Sequence, residues 1–148
     1  MNSSINFNYQ HSVGIKKFLE ENTKCIYAIA KLKGLLSINC IDSDYMQNLN
    51  KQYRNKDYTT DVLTFILDED HILGDVYLCW DVIKKNAKKY RISLRKELLK
   101  VLIHSFVHIL GYDHEDDKSY KKMTSKEREI FENIKLCNSA KINWEFVN

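Results

Sequence analysis

Three of the five histidines in this chain fall within residues 104 to 114, in the stretch HSFVHILGYDH. His104 and His108 are four residues apart, so on a helix they share one face, with Cβ atoms about 5–6 Å apart. Two imidazoles placed in this way can bind one tetrahedral metal ion, with metal–nitrogen bonds of about 2.0–2.1 Å. The spacing therefore indicates a metal site.

The third histidine, His114, cannot join the other two on a continuous helix. Such a helix would place it about 9 Å beyond His108 along the axis and about 120° around it. We therefore predict that the helix ends at Gly111, because glycine adopts the left-handed conformation of a helix C-terminus without steric cost. Three neutral imidazoles would leave the ion its full charge and an open fourth position, as in catalytic zinc sites.

Acidic residues surround His114 in the sequence. Metal-bound histidines usually donate their outer ring N–H to a carboxylate or a carbonyl oxygen. Asp113 is the best candidate for this supporting role because it lies directly beside His114. The acids at 115–117 are more typical of a solvated surface.

The motif follows the pattern H-x-x-x-H-x-x-G-x-x-H of a class of zinc proteases, with one difference. Ser105 stands where those proteases have the glutamate that takes a proton from the metal-bound water. The serine side chain has no basic group comparable in strength to the glutamate carboxylate. The metal ligands are therefore kept, while peptide hydrolysis by the usual route is disfavoured.

The whole chain has 148 residues, which predicts a single domain over residues 1–148. No apolar run is long enough for a membrane span, and the N-terminus has no features of a signal peptide, so we expect a cytoplasmic protein. The four cysteines form no C-x-x-C pair and are expected to be inert buried thiols.

Hydrophobic periodicity predicts about four strands and five helices. The expected strands are 5–9, 35–41, 61–67 and 72–80. The expected helices are 13–31, 42–53, 81–90, 94–110 and a last helix that begins near residue 124. The first of them is expected to break near Asn22 and Thr23, and Asp42 and Ser93 are the expected N-caps of the second and fourth. Thr124 is the expected N-cap of the last helix, with Glu127 completing a capping box. The tail at 142–147 is equally consistent with a short strand and with coil. The pattern favours an α+β fold, a small mixed sheet covered by helices, in which the buried helix 94–110 carries the metal motif.

A basic block follows the fourth strand, while the net charge of the chain is only +3. Such a block can bind a polyanion such as nucleic acid, although a solvated helix face is the commoner explanation. The residues that we take as candidates for RNA contact are Lys84, Lys85, Lys88, Arg91 and Arg95.

Three segments of the chain resemble the YbeY family of bacterial endoribonucleases. They are LNKQYR at 49–54 with TDVLTF at 60–65, GDV at 74–76, and the histidine motif at 104–114. The departures are mild: Ser105 replaces a usual glycine, Thr59 stands where proline is common, and Thr64 replaces serine. A larger residue at position 105 could alter crowding around the metal.

The resemblance implies a zincin-like fold, one Zn²⁺ held by His104, His108 and His114, and cleavage of single-stranded RNA. It further implies maturation of the 3′ end of small-subunit ribosomal RNA, ribosome quality control, and the ribosome and its RNA precursor as partners. The family's distinctive arginine falls on Arg54, whose guanidinium could hold the scissile phosphate as catalytic residue.

Two alternatives stay open at this point. One is a metallopeptidase with an unconventional base. The other is a ribosome-assembly factor that binds a metal without catalysis. Water and the 2′-hydroxyl of the substrate are equally possible as the nucleophile of the RNA reaction.

Overall fold

The computed structural model of the chain describes residues 4–10 and 13–138. It contains four strands and five helices in these ranges. The strands are β1 (Ser4–Tyr9), β2 (Leu35–Ile41), β3 (Val62–Glu69) and β4 (Ile72–Cys79), and the helices are α1 (Lys16–Ile29), α2 (Ser43–Arg54), α3 (Trp80–Tyr90), α4 (Leu94–Ile109) and α5 (Asp117–Asn138). The predicted tail at 142–147 lies outside the described residues.

The four strands form one mixed sheet in the order β1-β2-β4-β3. The pairs β1/β2 and β2/β4 are parallel, whereas β3 and β4 form an antiparallel pair joined by a tight turn. β3 is therefore an edge strand. The predicted α+β class with a small mixed sheet is confirmed.

The main core lies between one sheet face and helices α1, α4 and α5. Alternate residues of a strand point to opposite faces, and on β2 and β4 the side chains of Ile38, Val76 and Leu78 join this core. The opposite face carries a smaller cluster in which α2 contributes Met46 against Leu63 and Cys79. The sheet is therefore covered on both faces.

Helix α4 is the buried central helix that the sequence predicts. More than half of its residues are buried, among them Leu98, Leu102 and Phe106, which have no measurable exposure. Its first turn is capped as expected, because the Ser93 hydroxyl accepts a hydrogen bond from the backbone N–H of Lys96 at 3.0 Å. A helix fixed in this way is a rigid support for functional side chains.

Helix α1 has no break at Asn22 and Thr23, contrary to the prediction. Both side chains are fully buried, and each donates to a backbone carbonyl one turn earlier, Asn22 to Phe18 at 2.9 Å and Thr23 to Leu19 at 2.7 Å. Polar side chains that bond to their own helix can be buried without ending it.

The prediction that Thr124 caps the last helix is wrong. α5 begins at Asp117, and the residue before it, Asp116, accepts a hydrogen bond from the Ser119 N–H at 2.7 Å. These contacts with Ser119 lower the pKa of the Asp116 carboxyl. Thr124 lies inside the helix and donates to the Tyr120 carbonyl at 2.6 Å. Glu127 is consequently free of the capping role and is available for another contact.

The cysteines agree only in part with the expectation of inert thiols. Cys40 and Cys79 are buried and free, and burial raises the pKa of Cys40 to about 12. Cys25, however, is disulfide-bonded, so the prediction of a free thiol is wrong for this residue. The spacing of cysteines along a sequence does not show which of them the fold brings close together. The side chain of Cys137 lies outside the described part of the structure.

Candidate metal centre

The three histidines of the motif come together at the C-terminal end of α4. One ring nitrogen from each of His104, His108 and His114 can be chosen so that all three lie within 4.8 Å of one another. The ring centroids of His104 and His108 are 4.6 Å apart, and that of His114 is 6.3 Å from the first and 5.7 Å from the second. The arrangement can hold a metal ion.

The turn at Gly111 produces this convergence. Its φ of 100° is a backbone conformation that L-residues rarely adopt. The N–H of Gly111 donates to the His108 carbonyl at 2.9 Å, and that of Tyr112 donates to the Val107 carbonyl at 3.0 Å, so α4 closes in a hydrogen-bonded turn. The chain then returns toward the histidine face, as the spacing predicts.

Two hydrogen bonds fix the orientation of the helical histidines. His104 Nδ1 lies 2.9 Å from Glu127 Oε2, and His108 Nδ1 lies 3.1 Å from the Tyr112 carbonyl oxygen. Both partners are acceptors, so both Nδ1 atoms carry the proton of the neutral ring. Each Nε2 atom is therefore left with its lone pair.

The two Nε2 atoms point at each other across 3.1 Å. Two facing lone pairs repel unless a cation or a proton lies between them. Ligands bound at about 2.0–2.1 Å to a tetrahedral ion would be separated by about 3.3 Å, close to the observed distance. Partial burial, together with the proximity of His104, lowers the pKa of His108, which favours the neutral form that binds metal. The donor set fits a metal such as zinc.

The carboxylate that contacts His104 is Glu127, whereas the supporting role of Asp113 beside His114 stays a prediction. Asp113 is exposed, and its Oδ1 accepts from the Glu115 N–H at 3.3 Å. The outer nitrogens of the two helical histidines instead contact Glu127 and the Tyr112 carbonyl. Glu127 is missed by sequence reasoning because it lies on another helix, 23 residues beyond His104, where its local pattern suggests a capping box.

Ser105 is enclosed within the core. It is fully buried, and its hydroxyl donates to the Val101 carbonyl at 3.0 Å within α4. The hydroxyl is therefore engaged within α4, and an acid placed at this position would be enclosed by the core.

A cavity of about 910 Å³ opens beside the histidines. Its wall is built from the end of α2, β3, α3, α4 and α5. The residues that matter for its chemistry are Arg54, Tyr90, Lys100, His104, His108 and Glu127.

Arg54 is held at the cavity wall by contacts around the edge strand. Its guanidinium lies 4.7 Å from the centre of the Phe65 ring, and Nη2 donates to the Thr64 carbonyl at 3.2 Å. No carboxylate lies within ion-pair distance of Arg54 among the described residues. Its charge is therefore available to an anion in the same cavity as His104 and His108.

The basic residues proposed for RNA contact lie outside this cavity. Lys84, Lys85, Lys88 and Arg91 are exposed on and just after α3, whereas the Arg95 guanidinium lies 5.6 Å from the centre of the Phe18 ring. In the part of the chain that the structure describes, the cavity wall includes none of the five. They can attract a polyanion to the surface, but they do not reach the histidines.

Residues 3–135 match the family described as endoribonuclease YbeY. The chain belongs to the YbeY family. The endoribonuclease YbeY of Thermotoga petrophila is 38% identical over 123 residues, with 81% of this chain and 78% of the relative covered. That of Malacoplasma penetrans is 34% identical over 143 residues, with 86% and 93% covered.

The structural comparison agrees with this membership. The solution structure of TM1509 from Thermotoga maritima superposes with a TM-score of 0.67 at 33% identity, and the match covers 89% of each chain. None of the described helices is long and apolar enough to span a membrane. The histidine cluster and Arg54 thus lie in a chain whose YbeY relatives are named endoribonucleases.

Proposed function

We propose that this chain is a metal-dependent endoribonuclease that cleaves single-stranded RNA. One observation carries the proposal: His104 and His108 line the same cavity as Arg54, in a member of the YbeY family. Three histidine nitrogens suit a transition metal, and three neutral ligands with an open position suit catalytic zinc, so we assign one Zn²⁺ to His104, His108 and His114.

Bound zinc would supply a Lewis acid for the phosphoryl oxygen and would acidify a bound water. The side chains of the protein do the positioning. Glu127 holds the His104 ring, the Tyr112 carbonyl holds the His108 ring, and Arg54 binds non-bridging phosphate oxygens through two N–H groups. As an oxygen nucleophile forms a bond to phosphorus and the bond to the leaving oxygen breaks, Arg54 stabilises the negative charge that develops.

The basic face of α3 would guide RNA toward the cavity. We assign this role to Lys84, Lys85, Lys88 and Arg91, which are exposed. Cations on a surface increase the rate of encounter with RNA and make its binding depend on salt. Arg95 is the least favoured of the five candidates for RNA contact, because its guanidinium lies beside the Phe18 ring.

The biological substrate that we propose is a ribosomal RNA precursor, cut during maturation of the 3′ end of small-subunit RNA. We also propose that the protein takes part in ribosome quality control and is located in the cytoplasm. The support is family membership together with a site that suits RNA.

The peptidase alternative has less support. The position next to His104 that would carry a protease base is Ser105, which is buried and bonded to the Val101 carbonyl. Arg54 in the same cavity suits a phosphate better than a peptide bond. A purely structural metal is disfavoured because His104 and His108 line an open cavity.

The test combines metal content with cleavage. Wild type, His108→Ala and the control His71→Asn would be assayed for zinc, for melting, and for cleavage of labelled single-stranded RNA and of casein. His71 is exposed with a φ of 66°, a conformation that asparagine tolerates. We expect zinc and RNA cleavage in wild type and in the control, and loss of both in His108→Ala.

Cleavage of casein without cleavage of RNA would overturn the proposal in favour of a peptidase. Zinc binding with cleavage of neither would favour an assembly factor. The chemistry of the RNA ends also identifies the nucleophile, because attack by the 2′-hydroxyl leaves a 2′,3′-cyclic phosphate and attack by water does not.

A further inference from the structure

The cavity continues beyond the histidines along α4 toward α3. Lys100 precedes His104 by four residues on α4, so it lies one turn away on the same helix face, about 6 Å along the axis. Tyr90 at the end of α3 lines the same wall. The same continuous space is thus bordered by His104, His108, Lys100 and Tyr90.

Lys100 is anchored by a buried acid. Its Nζ lies 3.2 Å from Oε1 of Glu97, whose side chain is 4% exposed, while that of Lys100 is 55% exposed. A buried carboxylate is costly unless a cation compensates it. Glu97 therefore holds the ammonium group at the cavity wall, although the lysine remains accessible to a ligand.

Tyr90 presents an aromatic ring beside this cation. The residue is 51% exposed, so a core role does not account for it. The Nζ atoms of Lys100 and Lys89 lie 5.1 Å and 5.6 Å from the centre of the ring. A flat, accessible ring flanked by ammonium groups complements a planar base attached to a phosphate.

We propose that Tyr90 and Lys100 form a nucleotide subsite, in which the ring stacks on an RNA base and the ammonium group binds a phosphate next to the scissile one. The proposal rests on the endoribonuclease function. It also explains selectivity for single strands, because bases paired and stacked in a duplex cannot be stacked on a protein ring. Glu97 is the positioning residue of this subsite.

The first test measures how much the Tyr90 ring contributes to RNA affinity, and it uses metal-free protein. EDTA-treated protein would be titrated with a short, fluorescently labelled single-stranded RNA. We expect Tyr90→Leu to weaken binding by about 5- to 150-fold, the range of one lost base stack, and Tyr90→Phe to bind within about twofold of wild type. Tyr120→Leu is the matched control, since Tyr120 is 59% exposed on α5.

A second readout localises the contact. RNA that carries 5-iodouridine at successive positions would be irradiated with the protein, and the crosslinked peptide would be identified by mass spectrometry. We expect a crosslink to Tyr90 from a nucleotide adjacent to the cleaved bond. Crosslinks that map only outside the cavity would overturn the subsite.

The third test concerns the charge. Lys100→Gln alone leaves Glu97 buried without the ammonium group that compensates it, so the double variant Glu97→Gln/Lys100→Gln would be measured beside it. We expect both to bind RNA more weakly, with the slope of log affinity against log salt reduced by about 0.7, the value for one phosphate of a single strand. Lys100→Arg should preserve the salt slope.

Wild-type affinity and salt slope in Tyr90→Leu and in the double variant, with RNA cleavage intact, would overturn the subsite but not the proposed function. Failure of the wild-type protein to bind or cleave RNA would overturn both. The two failures are therefore distinguishable.

Discussion

Glu127 on α5 places its Oε2 atom 2.9 Å from Nδ1 of His104 on α4. The carboxylate fixes the ring orientation and keeps the proton on Nδ1, so that Nε2 presents its lone pair to the metal position. The motif on α4 therefore depends on a residue that belongs to a different helix.

Replacement of Glu127 should weaken the metal site without unfolding the protein. Losing such a partner typically lowers metal affinity by about 10- to 100-fold. We expect Glu127→Ala to show this loss in a competition titration with a zinc chelator, and Glu127→Gln to lose less, because the amide oxygen still accepts the hydrogen bond. Glu129→Gln is the control, since Glu129 pairs with Lys126 at 2.6 Å. Equal zinc affinity in all four proteins would contradict the role of Glu127.

Gly111→Ala should reveal the energetic cost of backbone strain at this turn, without a contribution from steric crowding. Nothing lies within 4 Å of an added Cβ, but the φ of 100° is unfavourable for alanine. We expect the free energy of unfolding to fall by about 1–3 kcal/mol, and zinc affinity to fall because His114 is displaced. Denaturant unfolding of the metal-free protein measures the first effect, and chelator competition measures the second. Unchanged zinc affinity would show that His114 is positioned without this turn.

Arg54→Gln should lose RNA cleavage while keeping zinc and fold. Removal of one stabilising donor typically costs about 10²- to 10³-fold in rate, and Arg54→Lys should recover part of it, because the charge stays but the two-pronged geometry does not. Single-turnover cleavage with zinc-loaded protein measures the effect. Lys51→Gln is a suitable control, being in the same last turn of α2 with an exposed partner, Asp57, at 3.9 Å. Wild-type cleavage by Arg54→Gln would refute the phosphate role.

Ser105→Glu should not create a peptidase. Position 105 is fully buried in the core, and enclosing a carboxylate there without a partner costs several kcal/mol. We expect a large fall in melting temperature and no cleavage of casein. Ser105→Ala, which removes only the bond to the Val101 carbonyl, should remain close to wild type in melting and in zinc affinity. A folded Ser105→Glu protein that cleaves casein would contradict this expectation.

The lysines of α3 should contribute to RNA binding through charge alone. We expect the triple variant of Lys84, Lys85 and Lys88 to glutamine to bind all single-stranded sequences more weakly, with a salt slope reduced by about 0.7 for each phosphate that the protein no longer neutralises. A triple glutamine variant of Lys17, Lys24 and Lys33 carries the same change in net charge on exposed positions elsewhere. Equal binding by the two triple variants would show that the effect is not local to α3.

Local signals in the sequence predicted much of this fold and site. The caps at Asp42 and Ser93, the i,i+4 pair His104 and His108, and the turn at Gly111 depend on residues within one or two turns of each other, and the structure contains all of them. Such features follow from backbone geometry and hydrogen bonding that any isolated segment would share.

The errors around the site arose where a residue interacts with a distant partner. Thr124 and Glu127 have the spacing of a capping box, yet the helix begins at Asp117 and Glu127 contacts His104. The meeting of Tyr90 with Lys100 depends in the same way on how α3 packs against α4. Spacing along the chain cannot show such contacts, because tertiary packing decides them.

The order in which the site is completed follows from the placement of Glu127. All three histidines precede residue 115, whereas the carboxylate that aligns His104 comes 13 residues after His114. During synthesis, all three metal-binding histidines are therefore made before the carboxylate that orients His104. Strong metal capture should begin only when α5 docks on α4, so acquisition of the ion is coupled to the packing of these two helices.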